Sequence, residues 1–240
     1  TGGAFCFEAL STLPTFDLVV FDEASQVSIA HAFLLSLLGK QWIFAGDPRQ
    51  LSPITQAEIE KYHFDQPWLG ASPFRFIDED KPWTVFLDEQ SRMAEPICSV
   101  ISNVFYNGKL RVAAECQRER EWVAFRTLPS SANIPCNAVH TVVVPEEGGW
   151  SHKYHGPIRF ASAELIADVV EELLMHHEPE RIVILTPFRA QRAIIKFKLK
   201  EHNIRGVKVS TVHRAQGSEC HTIIFDPVMG GDKFLATEEA

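Results

Sequence analysis

The chain has 240 residues, 45% of them hydrophobic, which is enough for one large domain or two smaller ones with buried cores. Its 31 acidic residues outnumber its 23 basic residues, and the net charge of -8 excludes binding to nucleic acid by bulk charge alone. The scattered cysteines form no C-x-x-C pair, no apolar run approaches the ~20 residues of a membrane helix, and the N-terminus lacks a secretory signal. These features predict an intracellular, cytoplasmic protein, with the nucleus as an alternative, that has no membrane partner.

Short apolar runs rich in Val, Ile and Phe recur along the chain. They predict strands at 18–21, 42–45, 85–87, 139–144, 182–185, 207–212 and 222–225. Helix-like stretches lie between several of them, at 28–38, 95–106, 162–176 and 189–201. Continuous apolar runs are typical of strands covered on both faces, and their alternation with helices predicts an α/β fold with a parallel sheet.

Two segments interrupt this alternation. Residues 58–82 contain prolines, aromatic residues and a run of acids, and residues 113–137 have mixed charge followed by Pro-Ser-Ser. The second segment is interpreted as a connection or insertion, and the chain is divided near residue 90.

The first strand prediction ends in two acids, in the sequence DLVVFDEASQV at 17–27. In open parallel sheets, ligands bind beyond the carboxyl ends of the strands, which is where Asp22 and Glu23 stand. Adjacent residues there point in different directions, so one carboxylate can hold Mg²⁺ while the other activates a water molecule. The alternative is that the acids cap the helix that begins near Ser28.

The second strand prediction is also followed by polar residues. The run Trp-Ile-Phe-Ala-Gly46 leads into Asp47-Pro-Arg-Gln50. Gly46 and the proline indicate a tight turn that directs Gln50 toward a phosphate or an attacking water, while Asp47 fixes the turn by accepting hydrogen bonds from backbone amides. A plain Asp-Pro turn is the alternative.

These two blocks, DEASQ and GDPRQLSP, resemble motifs II and III of superfamily 1 helicases, in the branch of the nonsense-mediated-decay RNA helicase and its DNA-helicase relatives. Further blocks are similar to the family in the same order: TGGAF at 1–5, EQSRMAEP at 89–96, FYNGKL at 105–110, ILTPFRAQ at 184–191 and STVHRAQGSE at 210–219. The resemblance implies a RecA-like, parallel-sheet P-loop NTPase fold. Residues 1–89 would form the end of one RecA-like domain, with motifs II and III, and residues 90–240 most of a second, without its motif VI.

The resemblance also implies roles for the strand-end residues. Asp22 would coordinate Mg²⁺ and Glu23 would activate the water that attacks the γ-phosphate of ATP. Gln50 would sense that phosphate, and Arg92 would act as an arginine finger from the second domain. Without the resemblance, Arg92 is interpreted as a surface arginine that pairs with Glu89 or Glu95.

Further contacts are implied in the second domain. Gln216 and Gly217 would approach the nucleotide phosphates, and Glu219 would contact the sugar or a neighbouring arginine. Five residues would contact single-stranded DNA or RNA, with the last two facing either that strand or the nucleotide: Thr186, Pro187, Arg189, Thr211 and His213. His213 departs from the family, which often has Asp there.

No G-x-x-x-x-G-K-[ST] phosphate loop occurs in the 240 residues, and no arginine-bearing motif VI follows 222–225. The sequence is therefore expected to be a piece of a longer protein, whose other segments are its partners, and to hydrolyse ATP negligibly by itself. Three functions are considered for the parent protein: an ATP-dependent helicase or translocase, a non-catalytic interaction module, and an ATPase switch that remodels a partner without unwinding.

Overall fold

The computed structural model describes residues 16–53, 71–78, 80–127, 138–215 and 218–228. The chain divides into two compact units between Phe86 and Leu87. Both contain parallel strands and helices, so the predicted mixed α/β class is confirmed. None of the helices in the described ranges is long and apolar enough to cross a membrane.

The first unit contains a two-stranded parallel sheet and one α-helix in its described part. Strands β1 (Phe16–Phe21) and β2 (Gly39–Phe44) pair in register, with Phe21 opposite Phe44. Helix α1 (Ile29–Ser36) connects them in sequence. A small core forms around the buried side chains Phe21, Ala24 and Ala32. Both strands consequently end at one edge of the sheet.

The second unit is built around a three-stranded parallel sheet. Strand β7 (Ile182–Thr186) lies between β8 (Lys208–Thr211) and β9 (Thr222–Phe225). Its residues are almost all buried, as the continuous apolar run predicts. Helices α5 (Phe160–Leu173) and α6 (Arg189–Glu201) pack against this sheet, and helices and strands together form a core that contains Ala163, Ile166, Ala167, Val170, Leu173, Ile182, Ile184, Ile194, Ile195, Leu199 and Val209.

Smaller elements complete the second unit. A parallel pair joins β3 (Glu89–Gln90) to β4 (Arg111–Val112), and an antiparallel pair joins β5 (Gly149–Ser151) to β6 (Gly156–Ile158). The remaining helices are α2 (Glu95–Phe105), α3 (Ala114–Arg118), α4 (Arg120–Phe125) and α7 (Val212–Ala215). A second core contains Cys98, Val112, Ala113 and Cys116.

Two sequence expectations are wrong. Residues 85–87 and 139–144 are not strands, and Leu87 and Val143 are 82% and 85% exposed. A strand forms where a neighbouring strand pairs with it in a ladder, and the sheets of the described residues include neither segment. Segment 113–137, interpreted as a connection or insertion, contains α3 and α4 in its described part.

Candidate functional site

The two acids after β1 lie on a backbone of unusual conformation. Glu23 has φ of 50° and ψ of 41°, in the left-handed region that non-glycine residues seldom adopt. Its backbone N–H donates to Asp22 Oδ1 at 3.0 Å, and both residues are exposed. A non-glycine residue keeps such a conformation only where the surrounding structure imposes it, and functional sites are among the places where this happens.

The acids do not cap the following helix. Ser28 is the N-cap of α1, and its hydroxyl oxygen accepts a hydrogen bond from the His31 backbone N–H at 3.4 Å. The hydroxyl of Ser25 is buried, and the described part of the chain gives it no hydrogen-bond partner. The exposed carboxylate of Asp22 and this hydroxyl oxygen are hard oxygen donors, which fits the ligand preference of Mg²⁺.

The loop after β2 lies against the loop after β1. Ala45 N–H donates to Phe21 O at 2.8 Å, and Ala24 N–H donates to Ala45 O at 2.9 Å. A Cβ atom added to Gly46 would lie 2.9 Å from the Ala24 backbone nitrogen and 3.0 Å from a ring carbon of Phe74. The absence of a side chain at Gly46 therefore lets the two strand-end loops meet.

Asp47 organises the turn that contains Gln50. Its Oδ1 accepts a hydrogen bond from Arg49 N–H at 2.9 Å, as the sequence predicts, and its Oδ2 accepts one from Gln50 Nε2 at 3.3 Å. The structure thus brings Asp22, Glu23 and the turn bearing Gln50 to one edge of one sheet.

Arg92 lies in the second unit, on a turn whose backbone is held by a side chain. Gln90 Oε1 accepts hydrogen bonds from the N–H groups of Arg92 at 2.8 Å and Met93 at 2.6 Å. The Arg92 guanidinium pairs with the Glu219 carboxylate at 2.5 Å, although the two side chains are 70% and 63% exposed. Glu89 pairs with Arg111 at 3.1 Å, so among the described residues Arg92 has Glu219 as its ion-pair partner in place of the expected Glu89 or Glu95.

The predicted nucleic-acid contacts differ in accessibility. Thr186 and Thr211 end β7 and β8, lie opposite each other in the register, and are buried. Pro187 is half-buried, whereas Arg189 begins α6 and is exposed. His213 lies in α7. Gln216 and Gly217 lie outside the described residues.

The sequence analysis missed a buried polar network at the carboxyl edge of the three-stranded sheet. Asp226 follows β9 and is 3% exposed. Its carboxylate accepts hydrogen bonds from Ser162 Oγ at 2.8 Å, Gln191 Nε2 at 2.8 Å and Val228 N–H at 3.0 Å, and it pairs with Arg159 at 3.2 Å. An acid directly after an apolar strand is the signal used for Asp22, and it could have found Asp226.

Gln191, the last residue of the ILTPFRAQ block, is central to this network. It is completely buried, and its Oε1 accepts a hydrogen bond from Arg159 N–H at 2.8 Å. Its Nε2 donates to Arg159 O at 2.9 Å and to Asp226 Oδ2. Gln191 therefore connects α6 to the start of α5 and the end of β9, a role in fixing the sheet edge.

Another cluster has the composition of a metal site. Ligand atoms of Glu164, Asp168 and His202 lie within 4.8 Å of one another. However, Glu164 already pairs with Lys198 at 2.8 Å, and both ring nitrogens of His202 lie 3.0 Å from carboxylates, those of Glu164 and Glu171. The hydrogen bonds to Glu164 and then Glu171 raise the pKa of His202, and the ligand atoms of Glu164 and His202 are thus already engaged by side chains of the chain itself.

An open cleft of about 780 Å³ lies beside the Arg92 turn in the second unit. The start of α2 and the helix α4 form two of its sides, through side chains that include Pro96, Trp122, Val123 and Arg126. None of the predicted site residues lines it.

The strand-end acids, the glutamine turn and the parallel sheets define a class: α/β proteins of the kind that bind nucleotides at the carboxyl edge of a sheet. A family model described as AAA domain matches residues 69–234, more than half of the chain, and the chain belongs to this family. Together with the relatives below, this match confirms the resemblance to superfamily 1 helicases.

Three relatives are similar over most of the chain. It is 26% identical over 217 residues to "Uncharacterized ATP-dependent helicase MJ0104" of Methanocaldococcus jannaschii, covering 87% of this chain and 31% of that protein. It is 27% identical over 219 residues to "3'-5' exoribonuclease HELZ2" of Mus musculus, covering 88% and 7%. It is 28% identical over 225 residues to "DNA polymerase alpha-associated DNA helicase A" of Schizosaccharomyces pombe, covering 90% and 33%. The chain thus spans about a third or less of these relatives.

Proposed function

We propose that the chain is part of an ATP-dependent nucleic-acid helicase or translocase. In this proposal residues 1–89 and 90–240 belong to two RecA-like domains, ATP is hydrolysed in the cleft between them, and hydrolysis drives movement along single-stranded DNA or RNA. A single observation carries the proposal: Asp22, Glu23 and the Gln50 turn leave neighbouring parallel strands at one edge, in a chain similar to ATP-dependent helicases.

In the first unit, Asp22 would hold Mg²⁺, which when bound neutralises charge on the phosphate oxygens. Glu23 would orient the attacking water and accept its proton, since its carboxylate is exposed and accepts a long, solvent-exposed hydrogen bond from Gln26 Nε2 at 3.4 Å. Gln50 would hydrogen-bond the γ-phosphate or that water. Its contact with Asp47 limits the freedom of the side chain before a ligand arrives.

In the second unit, Arg92 would neutralise the charge that develops on the transferring phosphoryl group. Gln216, Gly217 and Glu219 would complete the nucleotide contacts. The exposed ion pair with Glu219 supports this assignment because such a pair contributes only about 0–1 kcal/mol, so a phosphate can readily replace the carboxylate.

The single-stranded DNA or RNA would be contacted by Thr186, Pro187, Arg189, Thr211 and His213. With Thr186 and Thr211 buried, the contacts at these two positions would come from their backbone, and Arg189 would supply an exposed cation. The acidic composition means that further basic segments of the parent protein would provide most of the salt-dependent affinity. A nucleic-acid substrate fits a location inside the cell, either cytoplasmic or nuclear.

The test is steady-state ATP hydrolysis by the full-length polypeptide, with and without single-stranded DNA or RNA. We expect stimulation by one nucleic acid and a loss of kcat of about 10² to 10⁴ in Glu23→Gln, because a general base is removed. Asp17→Asn is the matched control: Asp17 lies on β1, the strand that precedes Glu23, and its side chain is 90% exposed. It should hydrolyse ATP normally. The 240-residue chain by itself is expected to be inactive.

Two outcomes would redirect the proposal. Hydrolysis that is equal in Glu23→Gln and the unsubstituted protein would overturn the role of Glu23. No hydrolysis under any condition, with nucleic-acid binding retained, would favour a non-catalytic interaction module descended from a helicase.

A further inference from the structure

The backbone of the Arg92 turn is fixed from two sides. Gln90 holds the N–H groups of Arg92 and Met93, as described above, and its Nε2 also donates to Met93 O at 3.1 Å. The opposite side is held by helix α4 and its C-cap residue. Trp122 Nε1 donates to Ser91 O at 2.7 Å.

Arg126 supplies two further bonds to the same turn. Its Nε donates to Arg92 O at 2.8 Å and its NH2 group donates to Ser91 O at 3.0 Å. The guanidinium is itself held, because it lies 4.0 Å from the centre of the Trp122 ring and donates from NH1 to Trp122 O at 3.1 Å. A planar guanidinium that stacks on an aromatic ring can donate hydrogen bonds to two carbonyl oxygens at once.

The backbone of the Arg92 turn is held by several hydrogen bonds, whereas the Arg92 side chain is exposed. The Arg92 side chain is 70% exposed, yet Trp122 and Arg126 donate their hydrogen bonds to the backbone carbonyls of the turn. Fixing the backbone beneath an exposed cation reduces the conformational freedom that the cation must lose when it meets an anion. A surface arginine without a function has no need of such support.

We infer that Trp122 and Arg126 are positioning residues for Arg92: they hold the turn of residues 91–93 so that its guanidinium is presented to the transferring phosphoryl group in a fixed direction. This inference rests on the proposed function, in which Arg92 acts on that group. It assigns a role to helix α4, which lies in the segment interpreted from sequence as a connection or insertion.

The experiment measures kcat and KM for ATP in the full-length protein with saturating nucleic acid. Arg126→Ala and Trp122→Phe remove the bonds to the turn, and the phenylalanine retains an aromatic ring for packing. We expect kcat to fall about 10²-fold in Arg126→Ala and somewhat less in Trp122→Phe, because a displacement of about 1 Å can have this effect. KM should change less than about threefold, since the interaction develops in the transition state.

Arg120→Ala is the matched control, because Arg120 begins the same helix and is exposed. It should retain the kcat of the unsubstituted protein. The decisive comparison is the double variant Arg92→Ala/Arg126→Ala, which should be no slower than Arg92→Ala, since Arg126 acts through Arg92.

The outcomes separate the two hypotheses. Unchanged kcat in Arg92→Ala would overturn the proposed role of Arg92. A large loss in Arg92→Ala, with Arg126→Ala and Trp122→Phe equal to Arg120→Ala, would overturn only the positioning role. Additive losses in the double variant, or a rise in KM that matches the fall in kcat, would also overturn it, because they indicate general damage to the fold.

Discussion

Replacing Asp226 by Asn should destabilise the second unit strongly, although the two side chains have nearly the same shape. The Asp226 carboxylate accepts from Ser162 and Gln191 on Oδ2, and from Arg159 and Val228 N–H on Oδ1. The NH2 group that replaces one carboxylate oxygen cannot accept a hydrogen bond. In the place of Oδ1 it would face two donors, Arg159 and the Val228 N–H. In the place of Oδ2 it would face the donating NH2 group of Gln191, whose orientation is fixed because its oxygen accepts a hydrogen bond from Arg159 N–H.

The size of this effect follows from burial. Asp226→Asn removes the charge opposite Arg159, whose side chain is only 15% exposed, and the loss of one partner of a buried pair costs about 3–5 kcal/mol. Ser162→Ala removes one hydrogen bond to the carboxylate but leaves the charges paired, so about 1.5 kcal/mol is expected. Asp88→Asn breaks an exposed pair with Arg111 in the same unit and should cost less than about 1 kcal/mol.

Hydrogen exchange of the β7 amides in the full-length protein measures these differences locally, so it does not require two-state unfolding of the whole polypeptide. The expected order of destabilisation is Asp226→Asn, then Ser162→Ala, then Asp88→Asn. If Asp226→Asn fell within about 1 kcal/mol of Asp88→Asn, the network would not be the scaffold of this sheet edge, and the reasoning from burial would be refuted.

Three further predictions concern other parts of the chain. Gly46→Ala should destabilise the first unit by about 1–3 kcal/mol, because its Cβ would lie 2.9 Å from a backbone nitrogen. Gly149→Ala should leave stability unchanged in a thermal unfolding assay, because its Cβ would meet no atom of the described residues within 4 Å beyond its own chain neighbours. Hydrogen bonds to Glu164 and Glu171 raise the pKa of His202 in the folded protein. The stabilisation that His202 gives to the packing of α5 against α6 is therefore fully present below about pH 6.5 and is lost as pH rises through the folded-state pKa. His202→Gln should remove this pH dependence, as measured by amide hydrogen exchange. His177 should behave oppositely, because burial and the neighbouring His221 and Arg181 lower its pKa in the folded protein. Its contribution to stability is present above about pH 6.5 and is lost as pH falls through the folded-state pKa. Titration of the His177 imidazole by NMR should show the lowered pKa.

The sequence predicted best what depends on short stretches of chain. The strands β1, β2, β7, β8 and β9 follow from continuous apolar runs, and the polar residues after them follow from the change in composition where each strand ends. The apolar runs at 85–87 and 139–144 show the limit of this reasoning. An apolar run records a preference for burial or pairing, but whether a neighbouring strand is available depends on the rest of the fold.

The support of the candidate site was beyond prediction for a physical reason. Trp122 and Arg126 contact backbone carbonyls, and any residue supplies a carbonyl, so the sequence at 91–93 contains no sign of its partners. The same two side chains are also common on surfaces, where each combines an apolar body with a polar end. Composition therefore does not distinguish a solvated connection from a helix that fixes a distant turn. Local motifs can identify the side chain that meets a ligand, whereas the groups that hold its backbone become visible only when distant segments are brought together.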